Sequence, residues 1–187
     1  FMFSRLPKYD TSYTSVWRNN DTGALTLTIR GSKLSMADIG MDLSILVGRT
    51  EVESRDVDWV MDELEKDFPA QAYDVAAHSL GCNFVFNEMS EHRDNWGELY
   101  LFCPGSSPFA STTTLKKYAN ISNAHYFINS GDIVPDGLRQ QMSADTLENN
   151  PYWGDYRYAP WSAHSLTQFV PPTFAMGDEP VTLRPGE

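Results

Sequence analysis

The chemistry that this chain could perform begins at Ser79. It lies inside A-Y-D-V-A-A-H-S-L-G-C-N-F-V-F-N-E-M, residues Ala72 to Met89. A serine hydroxyl is a poor nucleophile at neutral pH and needs a base to activate it. Its setting singles this serine out. A short β-type run precedes it, a helical run follows, and the small residues Ala77 and Gly81 stand two positions to either side. A sharp strand-to-helix turn lifts a serine hydroxyl clear of a sheet, and small flanking residues let the two backbones come together. The N-terminal N–H groups and dipole of the following helix favour negative charge. The Leu80 N–H is therefore expected to point at an oxyanion developing on an attacked carbonyl. His78, next to Ser79, faces sideways from the elbow and reads as a structural or pocket-shaping residue, and so as a substrate-binding candidate.

A serine on such an elbow needs a base and an acid, and in the known hydrolases built on a strand–elbow–helix these follow in the order Ser, acid, His. Three histidines follow Ser79: His92, His125 and His164. His92 belongs to the helix that leaves the elbow and faces away from it, and His125 opens a strand. His164 falls in a loop after the last strand, where a base belongs. In N-S-G-D-I-V-P, Asp132 stands just beyond the C-terminal end of a strand, where ligand sites of open α/β sheets gather. Asp136 is the rival acid, but its place between Pro135 and Gly137 reads as a turn. Tyr152, Trp153, Tyr156, Tyr158 and Trp161 cluster ahead of His164. Trp153 and Trp161 are candidate substrate-binding residues that line an acyl pocket or touch a lipid interface. The plainer reading is that the cluster packs an irregular loop onto a small core.

The elements that must carry these residues alternate. Tyr13–Arg18 and Ala24–Arg30 are rich in β-branched and aromatic residues, and N-N-D-T-G between them predicts a hairpin. A mixed segment runs from Lys33 to Gly48, with a helical look over Met36–Leu46. Val57, Val60, Met61, Leu64 and Phe68 sit at helical spacing within Val52–Phe68, and Pro69 stops that helix. Strand Ala72–Ala77, helix Leu80–His92, strand Glu98–Phe102, a helical turn over Leu115–Tyr118 and strand His125–Asn129 follow. Val134–Ser162 reads as irregular, Ser165–Val170 as the start of a last helix, and 171–187 as an extended or disordered tail. This alternation predicts an α/β fold: one domain over 1–187, with a mainly parallel central sheet, an antiparallel start and helices on both faces.

Composition narrows the partners. The 25 acidic against 14 basic residues leave a formal net charge of −11, which repels a phosphate backbone and argues against nucleic acid. Anionic membrane surfaces are disfavoured for the same reason. No apolar run approaches the ~18 residues of a membrane span. Two cysteines, Cys82 and Cys103, make neither a disulfide framework nor a zinc site, and both read as small buried hydrophobes. The chemistry read from Ser79 requires no metal and no organic cofactor. Phe1 is not a start methionine, so the chain reads as a processed or trimmed one, compatible with a soluble, secreted protein or one domain of a longer polypeptide.

Five segments in order carry a resemblance. T-L-T-I-R-G-S with A-D-I-G-M-D-L, then A-H-S-L-G, L-Y-L-F-C-P-G-S, N-S-G-D-I-V-P and A-H-S-L together resemble the class 3 lipases, the fungal triacylglycerol-lipase-like branch of the α/β-hydrolases. The match spans about residues 13 to 170. It implies an α/β-hydrolase fold and a Ser79–Asp132–His164 triad. It also implies an oxyanion role for Ser32 beside Leu80, an anchoring role for Asp42, and a lid over Lys33–Met41. The chain departs from the family pattern at Ala77 and Cys82, where glycine is usual, and in a short stretch between Asp42 and Ser79. The activity implied is hydrolysis of a carboxylic ester: an acylglycerol, a phospholipid or a simpler ester, with a peripheral lipid surface as an optional partner. Acyl transfer or amide hydrolysis on the same triad, and a non-catalytic binding module on the same fold, are the alternative readings.

Overall fold

A computed structural model describes residues 2–31, 43–90, 95–106, 110–129, 132, 134–149 and 153–154. Strand β1 (Phe3–Arg5) leads into a single 3-10 turn at Pro7–Tyr9, then β2 (Thr14–Asn19) and β3 (Leu25–Ile29). Helix α1 (Leu43–Asp67) precedes β4 (Tyr73–His78), α2 (Gly81–Ser90) and β5 (Trp96–Phe102). Then come α3 (Thr112–Tyr118), β6 (Ala124–Asn129), the short α4 (Asp136–Arg139) and α5 (Ala144–Asn149), and the two-residue β7 (Trp153–Gly154). The strands lie side by side in chain order. β1–β2 and β2–β3 are antiparallel; β3–β4, β4–β5, β5–β6 and β6–β7 are parallel.

The expected hairpin forms, with Val16 opposite Leu27 and Thr14 opposite Ile29. Asn19 makes its turn, accepting at Oδ1 from the N–H groups of Asp21 and Thr22. Strand β1 was not expected from the sequence; three residues give no readable alternation, and pairing with β2 is what makes them a strand. The helix expected from Val52 begins at Leu43 and runs unbroken for 25 residues. The irregular stretch after Val134 contains α4, α5 and β7. The last expected helix, Ser165–Val170, and the tail 171–187 lie outside the described residues.

Period-two alternation sorts the sheet into two faces. Leu25, Leu27 and Ile29, Tyr73, Val75 and Ala77, Leu99 and Leu101, and Ala124, Tyr126 and Ile128 are all buried on one face. They share a core with Val57, Val60, Met61 and Leu64 of α1 and with Phe84, Val85 and Phe86 of α2. Each fully buried Val, Leu, Ile, Phe or Met among them contributes about 1.5–3 kcal/mol relative to exposure. Phe86 stacks on Tyr118 of α3, ring centroids 4.5 Å apart, so all three longer helices join one layer.

The opposite face carries Thr28, Ala76, His78, Tyr100, Phe102, His125 and Phe127, all only partly buried. The sequence predicts helices on both faces; among the described residues the helical layer covers one. Strand order gives the reason. β3, β4, β5 and β6 follow one another in a single direction, and right-handed crossovers advancing one way set every connecting helix on the same side. Both cysteines are free and buried, as expected.

Candidate active site

β4 ends at His78 and α2 begins at Gly81, so the chain reverses within Ser79 and Leu80. Ser79 has φ of 55°, in the left-handed region. That conformation costs a residue with a Cβ about 1–2 kcal/mol, and surrounding structure must hold it there. The hold is visible. Ser79 N–H donates to the Phe102 carbonyl at 3.0 Å, and the Ser79 carbonyl accepts from Gly105 N–H at 2.9 Å and Cys82 N–H at 3.1 Å. The turn is thus tied to β5, to the loop after β5 and to its own helix.

Absent side chains make the tie possible. A Cβ on Gly31 would lie 2.8 Å from Ser79 Cβ and 2.9 Å from the His78 carbonyl oxygen. A Cβ on Gly81 would lie 2.8 Å from the Ile29 carbonyl oxygen and 3.0 Å from that of Arg30. A Cβ on Gly105 would lie 3.2 Å from the Ser79 carbonyl. Gly81 follows from the elbow pattern. Gly31 and Gly105 are additional site residues, and their sequence signal is a glycine just past the end of each strand that flanks β4.

Ser79 is 8% exposed. Among the described residues, no turn or loop carbonyl accepts the Leu80 N–H, which leaves this donor beside the serine at the start of α2. Such a position suits a developing negative charge. Cys82, three residues past Ser79, has its thiol pushed far up by burial, which makes it inert as a nucleophile.

Asp132 follows β6, two strands from β4, and so stands at the same C-terminal edge of the sheet as Ser79. Strand spacing separates β4 from β6 by about 10 Å. Asp132 is 1% exposed, and its Oδ1 accepts from the Val134 N–H at 2.9 Å. Asp136 lies in the first turn of α4, where it pairs with Arg139 at 2.8 Å, and its side chain is 40% exposed. The two candidate acids thus differ in kind: one is enclosed at the strand edge, the other serves a surface helix. His125 stacks on Tyr100 at 5.1 Å and lies 2.7 Å from Glu98, away from the C-terminal edge.

A cavity of about 380 Å³ opens beside the elbow on the less covered face. Arg30, Tyr13, Ala76, Ala77, His78 and Phe102 are among its lining residues. His78 is therefore at a cavity wall, while Arg30, Tyr13 and Phe102 were not singled out by the sequence. Trp153 forms β7 opposite Ile128. Ser32, the segment Lys33–Met41, Asp42, Trp161 and His164 lie outside the described residues. Among the described residues no cluster of His, Cys, Asp or Glu could hold a metal ion. No described helix is long and apolar enough to cross a membrane.

No known protein-family profile matches the chain, and no curated protein matches it.

Proposed function

We propose that this chain is a serine hydrolase of the α/β-hydrolase type, related to the class 3 lipases, that cleaves carboxylic esters. The observation that carries the proposal is Ser79 at φ 55°, held between a parallel strand and a helix N-terminus by backbone hydrogen bonds for which three close glycines make room. Strain of this kind at a single serine is what a nucleophile elbow requires. The buried Asp132 at the same sheet edge supports its role as the acid.

In this reading His164 takes the Ser79 proton as Oγ attacks the ester carbonyl. Asp132 holds the imidazole tautomer and stabilises the imidazolium. The N–H groups of Ser32 and Leu80 receive the oxyanion. The tetrahedral intermediate then expels the alcohol, which leaves with the proton from His164, and an acyl-enzyme remains on Oγ. Water, deprotonated by His164, attacks that acyl group and releases the acid. Trp153 and Trp161 belong with the acyl group.

Hydrolysis of p-nitrophenyl esters from acetyl to palmitoyl tests the proposal. Turnover is expected in the wild type, with loss to background in Ser79→Ala and a drop of about 10³–10⁴ in kcat for Asp132→Asn. Ester turnover that survives Ser79→Ala contradicts it. Turnover only with an added acyl acceptor favours the transferase alternative.

A further inference from the structure

We infer that the ester cleaved at Ser79 carries an anionic group, phosphate or carboxylate, and that Arg30 receives it; the inference rests on the hydrolase reading above. Arg30 follows β3 directly and precedes Gly31, whose missing Cβ makes room for Ser79. On the other side, the Arg30 carbonyl oxygen lies only 3.0 Å from where a Gly81 Cβ would be. The backbone of Arg30 therefore packs against the helix side of the elbow, its neighbour Gly31 packs against Ser79, and the Arg30 N–H donates to the Tyr13 carbonyl at 2.9 Å. Ile29 pairs with Ala77, and both are buried on the helix-covered face, so strand alternation turns Arg30 and His78 toward the other face.

The cavity of about 380 Å³ lies there, with Arg30, His78, Tyr13 and Phe102 on its walls. Its volume suits a small ligand or the head of a larger one. The Arg30 guanidinium sits 5.4 Å from the centre of the Tyr13 ring, a cation–π contact at the cavity wall. No described carboxylate pairs with Arg30. By contrast Arg5, also on this cavity, is bonded to Asp10 at 3.0 Å and to Ser15 at 3.2 Å. In a chain of net charge −11, an arginine with no described carboxylate partner at the wall of this cavity is a selective feature. A planar guanidinium binds carboxylate or phosphate through two parallel hydrogen bonds.

The test compares p-nitrophenyl butyrate with the p-nitrophenyl hemiester of glutaric acid, and a monoacylglycerol with the same acylglycerol bearing a 3-phosphate. Wild type and Arg30→Gln are assayed, with folding checked by thermal unfolding. In wild type the anionic member of at least one pair is expected to have the higher kcat/KM by about tenfold. Arg30→Gln should erase that preference through KM, and Arg30→Lys should restore part of it. The hemiester pair reports a carboxylate, the glycerol pair a phosphate. Ser79-dependent turnover of the neutral esters with no anionic preference, or a preference unchanged in Arg30→Gln, overturns the inference and leaves the hydrolase reading standing. Absence of Ser79-dependent turnover for every ester removes both.

Discussion

At the scale of single residues, Ser79 is where conformation and chemistry conflict. Its φ of 55° suits glycine, and a serine there is strained. Ser79→Gly is therefore expected to be more stable than Ser79→Ala by about 1 kcal/mol, although both are inactive; urea unfolding of the two variants checks this. Equal stabilities would mean that the turn is not strained by its Cβ. Gly31→Ala should do the reverse, losing both activity and about 1–3 kcal/mol of stability, because its Cβ would meet Ser79 Cβ at 2.8 Å with backbone behind it. Ser79 was legible because five consecutive residues fix the elbow. The roles of Gly31 and Gly105 were less so, because each acts on a turn more than twenty residues away.

At the scale of elements, the N-terminus is latched to the far end of α1. Lys8 bonds to Asp67 and lies 3.0 Å from Glu63, while Tyr9 donates to Asp67 at 2.5 Å. The Lys8 ammonium, bonding to Asp67 and Glu63, holds both carboxyls below the usual carboxylate range. Burial, then the Asp67 contact, pushes the Tyr9 hydroxyl up to about 12. The carboxyls bind protons less readily folded than unfolded, so their contribution is present above the ordinary carboxylate pKa and fades as pH falls through the lowered folded values. Lys8 is shifted upward by the same contacts, so its contribution is present below its ordinary pKa and fades only at strongly alkaline pH. Lys8→Ala should accordingly lower the thermal midpoint near pH 7 and lose its effect as pH falls through the lowered range of the two carboxyls. A pH-independent difference between variant and wild type would contradict the ionic latch. Neither partner is visible from periodicity, since the pairs span more than fifty residues.

At the scale of the molecule, the alternation of strand and helix from residue 24 onward was legible, and so was the parallel sheet that it implies. Which side of the sheet the described helices α1, α2 and α3 take was not, because that depends on the spatial order of the strands rather than on any local pattern. The cavity wall was hidden for a similar reason: Tyr13, Arg30, His78 and Phe102 come from four strands or strand ends. The buried face that α1, α2 and α3 cover makes the central strands decisive for stability. Leu101→Ala, fully buried between β4 and β6, should cost about 2–5 kcal/mol by denaturant unfolding.

The central claim is that the strained elbow presents an activated serine. Incubation with a fluorophosphonate probe, followed by peptide mass mapping, tests this most directly, since the probe reacts only where base and oxyanion donors make a hydroxyl nucleophilic. Stoichiometric modification of Ser79 is expected in wild type, slowed by orders of magnitude in His164→Ala. An unmodified Ser79 in folded protein, or equal labelling with and without His164, would contradict the account.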